Sequence, residues 1–289
     1  MIGLSLLFSC AEDDHPKKMG KPGLFTHSLH HDNLDRTYIL YVPESYKETS
    51  PVPLMLNFHG FGMTANQQLK SADMRSLADT ENFILVYPQG TLLDGYPHWN
   101  AGLESKDNKS DADDFGFVEV LIDEISADYT IDSERIYASG YSNGAFFAYS
   151  LACFHGDKIA AIGSVAGTML EETYEQCRPS HPIAMINIHG TADSVVPYEG
   201  GEGLTPIDAV LDYWIVANNT STTPVINSHN DKGITIEHFA YANGDSNTAV
   251  EHYKIIGGGH VWFDIDYEGA NTSRLIWDFV SRYDINGLR

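Results

Sequence analysis

The chain has 289 residues, 43% of them hydrophobic and 11% aromatic, which is enough apolar material for a sizeable core and too much for a disordered chain. Its 17 basic residues stand against 40 acidic ones, for a formal net charge of −23. A surface of that sign repels phosphate backbones and anionic headgroups, so nucleic acid is excluded as a partner class.

The first stretch, "MIGLSLLFSC" (1–10), is a short apolar run closed by a cysteine. It resembles the end of a bacterial lipoprotein signal, with Cys10 as the residue that would carry the lipid. Residues 11–23, beginning "AEDD", read as a tether, and 24–289 as a single catalytic domain. No later stretch approaches the roughly 20 apolar residues that a spanning helix needs. Export is therefore expected, to a cell surface or beyond it.

Strand-like runs follow at 36–43, 53–60, 83–90, 135–140, 160–167, 183–190 and 250–257. Helix-period segments lie between and after them at 65–79, 114–127, 143–155, 206–217 and 271–283. Several strand runs are almost continuously apolar, as central parallel strands covered on both faces must be. The alternation predicts an α/β fold, a mainly parallel sheet with helices on both sides. No Pro/Ser/Thr-rich linker or internal repeat interrupts it.

One break in this alternation carries chemistry. In "RIYASGYSNGAFF" a strand pattern stops at Gly140 and a helix pattern starts at Asn143, with Ser142 at the junction. Gly140-Tyr141-Ser142-Asn143-Gly144 fits G-x-S-x-G in the strand-turn-helix setting that a nucleophile elbow requires. Small residues on either side would let the turn close, and the helix N-terminus would lie under developing negative charge. The competing reading is a simple turn serine.

A serine nucleophile needs a base, and the base needs an orienting acid. Asp193 follows the run at 183–190 in "HGTADSVVPYEGG", and His260 follows the run at 250–257 in "GGGHVWFD". The order Ser142, Asp193, His260 is that of an α/β-hydrolase. Alone, Asp193 would read as a turn carboxylate and His260 as a capping or packing residue; Asp264 and Asp266 are rival acids. For the oxyanion, the Asn143 backbone N–H is one expected donor. "HGFG" (59–62) supplies the other through Phe61, with Gly62 as the alternative.

The segments "HGFGMTANQQ", "FILVYPQG", "WNAG", "DDFGFVEVLIDEI", "RIYASGYSNGA", "AAIGSVAG", "HGTADSVVPYEGG" and "GGGHVW" together resemble the secreted polyhydroxybutyrate depolymerase and feruloyl esterase family, related to carbohydrate esterase family 1. They cover most of residues 35–285 in family order. The resemblance implies a triad of Ser142, Asp193 and His260, a serine esterase mechanism, and an ester substrate. Phe61 and Met63 stand where many relatives carry Cys and Gly, which bears on the shape of the acyl pocket.

Apart from Cys10, the cysteines are Cys153 and Cys177, an even pair in a chain expected outside the cytosol, where a disulfide persists; two buried thiols are the alternative. The family resemblance supports the bridge. Trp99, Tyr141 and Trp262 lie beside the motifs and are candidate substrate-binding aromatics, with packing as the equal alternative.

No cofactor or metal is expected. Walker and Rossmann glycine patterns do not occur, and "SDADDFG" (110–116) fails as a calcium loop because Phe115 and Ile122 fall where oxygen ligands are required. Asp113 or Asp114 caps the following helix instead. His27, His30 and His31 read as surface histidines rather than a metal cluster. Among substrates, feruloyl or acetyl groups on polysaccharide come first and hydroxybutyrate polyester or oligomer second. A peptidase and a non-catalytic lipoprotein binding module are the remoter readings.

Overall fold

Apolar runs that are buried along their whole length can fold only as strands with cover on both faces. The computed structural model, which describes residues 20–102 and 109–289, builds that arrangement. Strands β1 (Gly23–His31), β2 (Leu34–Val42), β3 (Val52–Phe58) and β4 (Ile84–Pro88) come first, with helices α1 (Ala65–Ser71) and α2 (Arg75–Glu81) between β3 and β4. A hairpin of β5 (Thr91–Leu93) and β6 (Tyr96–His98) precedes α3 (Asp114–Asp128). Next are β7 (Ile131–Tyr141), α4 (Asn143–Phe154), β8 (Ala161–Val165), α5 (Glu171–Gln176), β9 (Ala184–Gly190) and α6 (Ile207–Ala217). The chain closes with β10 (Val225–Asp231), β11 (Ile234–Tyr241), β12 (Val250–Ile255), α7 (Thr272–Val280), β13 (Tyr283–Asp284) and β14 (Gly287–Leu288).

Ten strands form one sheet in the order β1-β2-β4-β3-β7-β8-β9-β12-β11-β10. The run from β4 to β12 is parallel throughout, while β1 and β2 at one edge and β11 and β10 at the other pair antiparallel. Every residue of β3, β4, β8 and β9 is buried. Leu54, Leu56 and Phe58 of β3 pack with residues of α3, α4 and α6, whereas Met55 packs with α1, α2 and α7 on the other side. The mainly parallel, doubly covered sheet expected from the sequence is what forms.

Several elements differ from expectation. The helix read over 65–79 is two helices, broken around Ala72–Met74. The buried Tyr87 hydroxyl donates to the Ala72 carbonyl at 2.6 Å and accepts from the Met74 amide at 3.3 Å, satisfying groups that a continuous helix would have paired. Strands β1, β10 and β11 were not anticipated. Six of the seven residues of β10 are not buried, so the strand lacks the apolar signature of the sheet centre.

Cys153, in the last turn of α4, is bonded to Cys177 just beyond α5, with Cα atoms 4.7 Å apart and 24 residues of separation. A bridge closing a loop of that size contributes about 3 kcal/mol by chain-entropy reasoning. The Cys10 lipidation reading falls on residues 1–19, outside the described residues.

Candidate active site

Because β3, β7, β9 and β12 run parallel, the segments that leave their C-terminal ends collect along one edge of the sheet. Ser142 leaves β7 and enters α4 with φ 53° and ψ −121°, a backbone region that non-glycine residues avoid. The turn is held from both sides. Its amide donates to the Val165 carbonyl at 3.0 Å, and its carbonyl accepts from Ala145 at 2.8 Å and Phe146 at 3.0 Å. The flanking glycines have a steric reason: a Cβ on Gly140 would lie 2.3 Å from the Gly144 carbonyl carbon, and one on Gly144 2.3 Å from the Phe58 carbonyl oxygen.

Three distant segments meet over this turn. His260 Nε2 lies 2.9 Å from Ser142 Oγ, and His260 Nδ1 lies 2.8 Å from Asp193 Oδ2. A carboxylate only accepts, so in the neutral ring Nδ1 carries the proton and Nε2 is free to accept from the serine hydroxyl. The other Asp193 oxygen accepts from the amides of Val195 and Val196, each at 2.9 Å, which aims the carboxylate. Its side chain is wholly buried, whereas the His260 side chain is 14% exposed. The rival acids stand elsewhere. Asp266 accepts from the Gly269 amide, and neither it nor Asp264 bonds to His260.

Sequence reasoning passed over the histidine beneath this acid. His189 is fully buried, with Nε2 2.9 Å from the Val196 carbonyl and 3.6 Å from Asp193 Oδ2. Desolvation lowers its proton affinity, so the neutral ring donates to Val196 and pins the loop that presents Asp193. The "HG" before Asp193 was the available signal. Tyr141, expected to line a cleft, has its hydroxyl donating to the His260 carbonyl at 2.9 Å and its ring 5.1 Å from the imidazole. Burial and the Asp193 charge push its phenol up to about 12, so it remains a donor.

The segment after β3 is equally constrained. Gly62 spends its amide on the Pro97 carbonyl at 2.7 Å, whereas no acceptor among the described residues stands against the amides of Phe61 and Asn143. His59, read in the sequence only as the start of the "HGFG" segment, locks this turn: Nδ1 donates to the Gly60 carbonyl at 2.8 Å and Nε2 accepts from the Gly90 amide at 2.9 Å. Burial pushes it down to about 4, which keeps that acceptor available at neutral pH. The Phe61 side chain is 52% exposed and its ring lies 5.7 Å from that of Tyr96.

A polar scaffold fixes the opposite wall. Asn143 accepts from the Trp99 amide at 2.7 Å and donates to the Trp99 carbonyl at 3.0 Å. Trp99 itself is 1% exposed, donates from its indole to the His59 carbonyl at 3.1 Å, and packs on Phe58 and Phe147. Behind it, Asp114 accepts from Asn100 at 2.8 Å and forms a buried ion pair with Arg36 at 2.6 Å. Asp113, not Asp114, caps α3 through the Gly116 amide. Trp262 is half-buried against the α7-side core. On β1, His30 pairs with Asp35 and His31 with Asp113, while the His27 ring lies 5.5 Å from that of Tyr38.

The family model described as esterase PHB depolymerase matches residues 36–185, just over half of the chain. The chain belongs to this family. A bifunctional acetylxylan esterase/xylanase of Neocallimastix patriciarum is 27% identical over 248 residues, 86% of this chain and 33% of that protein. Feruloyl esterase B of Piromyces equi is 27% identical over 258 residues, 86% of this chain and 46% of that protein. The chain thus spans between a third and a half of the length of these curated relatives. Among solved structures, a ferulic acid esterase of Anaeromyces mucronatus aligns over 96% of this chain and 98% of its own at TM-score 0.56 and 16% identity. An acetyl xylan esterase of Aspergillus awamori covers 82% of this chain and 94% of its own at TM-score 0.59 and 12% identity. At such identities the shared feature is the fold, that of the α/β-hydrolase esterases.

Proposed function

We propose that this member of the esterase PHB depolymerase family is a serine carboxylic-ester hydrolase acting on feruloyl or acetyl esters of saccharides. The hydrogen-bonded series from Asp193 through His260 to Ser142, at 2.8 and 2.9 Å, carries the reading. His260 Nε2 takes the hydroxyl proton as Ser142 Oγ adds to the ester carbonyl, and the oxyanion receives the amides of Asn143 and Phe61. The N-terminus of α4, a 12-residue helix, adds its partial positive charge at the same point. Collapse expels the alcohol with a proton from His260, and water then releases the acid from Ser142 by the same route. Asp193 fixes the imidazole tautomer and stabilises imidazolium.

The acyl preference is supported by relatives named as feruloyl and acetylxylan esterases. The family description supports a second reading, hydrolysis of hydroxybutyrate polyester or its oligomers. Methyl ferulate and a soluble hydroxybutyrate oligomer, offered in parallel to wild type and Ser142→Ala, separate the two. The variant is expected to keep its fold and lose about 10⁴-fold or more in kcat. Equal turnover by wild type and variant would sink the mechanism, and preference for the oligomer would move the protein to polyester turnover.

Export with lipid attachment at Cys10 is part of the same reading and rests on "MIGLSLLFSC". Palmitate labelling of the expressed protein, lost in Cys10→Ala, is the expected result; no labelling of wild type removes the anchor.

A further inference from the structure

Two amides stabilise an oxyanion well only if both point at one spot from a fixed separation. Here they come from distant parts of the chain: the Asn143 amide opens α4, and the Phe61 amide lies in the turn after β3. A trans peptide points its N–H opposite to its C=O, so each amide is aimed by whatever holds the carbonyl before it. The Ser142 carbonyl accepts from Ala145 at 2.8 Å and Phe146 at 3.0 Å. The Gly60 carbonyl accepts from His59 Nδ1 at 2.8 Å and from the Met63 amide at 3.1 Å. Each donor is thus aimed within its own turn. The close packing of Gly144 on Phe58 stops the two turns from coming nearer, but a contact of that kind does not stop them from parting.

Trp99 closes that gap from both ends. Its amide donates to Asn143 Oδ1 at 2.7 Å, its carbonyl accepts from Asn143 Nδ2 at 3.0 Å, and its indole donates to the His59 carbonyl at 3.1 Å. The Trp99–Asn100 peptide is also held from behind, because the Asn100 amide donates to Asp114, which is ion-paired with Arg36. The Trp99 ring packs on Phe58 and Phe147, with centroids 5.1 and 5.3 Å away. At 1% exposure it has almost no surface on which a substrate could stack. All of its polar groups are engaged with the two turns that carry the donors.

Resting on the esterase reading above, we propose that Trp99 is a positioning residue that ties the Asn143 and Phe61 amides at the separation the tetrahedral intermediate requires. Asn143 then has two separable roles: its amide meets the oxyanion, and its side chain clasps Trp99. A ground-state carbonyl is the weaker acceptor, so loosening the tie costs little in substrate binding and much in the transition state. None of these bonds involves His260 or Asp193, so the proton-transfer series is left as it is.

Trp99→Phe removes the indole N–H, and Asn143→Ala removes the clasp while keeping the backbone donor. Both are assayed with 4-nitrophenyl acetate, and turnover is counted per serine labelled to completion by a fluorophosphonate, so that unfolded protein does not enter. In each variant kcat is expected to fall by about 10- to 100-fold while KM moves by less than about threefold, because acylation and deacylation use the same two donors. The apparent pKa of kcat/KM should stay at its wild-type position. Affinity for a trifluoromethyl ketone that adds Ser142 Oγ should fall by the same factor as kcat/KM, since that adduct carries the oxyanion. The double variant should be little worse than either single one, because both open one tie. The role of Trp99 is overturned, with the esterase reading left standing, by variants that keep kcat per labelled serine within about twofold of wild type. A loss of kcat without loss of affinity for the ketone, or with a shifted pKa, overturns it equally. A wild type that neither cleaves the ester nor binds the ketone removes both readings.

Discussion

The centre of the sheet and its two edges obey different rules. In the centre, β3, β4, β8 and β9 are buried at every residue and lie parallel among β7 and β12, and Ser142, Asp193, His260 and the Phe61 turn follow the C-terminal ends of β7, β9, β12 and β3. At the edges, β1 and β10 pair antiparallel and expose most of their length. Burial on both faces removes freedom from the central strands, so a loop leaving them is placed to within the tolerance that hydrogen bonds between distant segments require. An edge strand closes the sheet and tolerates wide variation in its side chains.

The sharpest way to break the contrast is a single methyl group at the centre. Gly144→Ala would set a Cβ 2.3 Å from the Phe58 carbonyl oxygen and 2.6 Å from that of His59, backbone against backbone. A loss of about 4 kcal/mol or more in urea unfolding, or failure to accumulate folded protein, is expected. A wild-type midpoint would mean that the elbow is not packed against β3 as described.

A smaller effect should come from pH. Burial pushes His59 down to about 4 and His252, on β12, to about 3. Unfolded histidines titrate near 6.5. The unfolded chain therefore takes up protons first as the solution is acidified, and stability that is complete above about 6.5 is lost progressively below it. Urea midpoints should already fall between about pH 6.5 and 5, above the usual range of carboxylates. A flat profile across that window contradicts neutral burial of these rings.

The smallest effect belongs to the edge. Ile226→Thr on β10, where the side chain is 58% exposed, should shift stability by less than about 0.5 kcal/mol. A loss of several times that amount would show that β10 is covered in solution.

Much of the centre was legible because its signals are local. A strand followed by Gly140-Tyr141-Ser142-Asn143-Gly144 and a helix is a contiguous pattern, and Asp193 and His260 each come just after an apolar run. The edges were not legible in this way. β10 reads "VINSHND" and carries no periodicity that separates it from a loop, because its pairing with β11 is supplied by the sheet rather than by its own side chains. The break between α1 and α2 escaped for a related reason: the hydroxyl that satisfies it belongs to Tyr87, on a different element.

By itself, then, the sequence determined the alternation of strands and helices, the order Ser142, Asp193, His260, and the strong negative charge. These depend on the type and local spacing of residues. Only the tertiary structure decided that His59 and His189 lock the two turns, and that Asn143 bonds to both the amide and the carbonyl of Trp99. These are contacts between segments far apart along the chain, set by which strands lie side by side, and no local periodicity encodes that order.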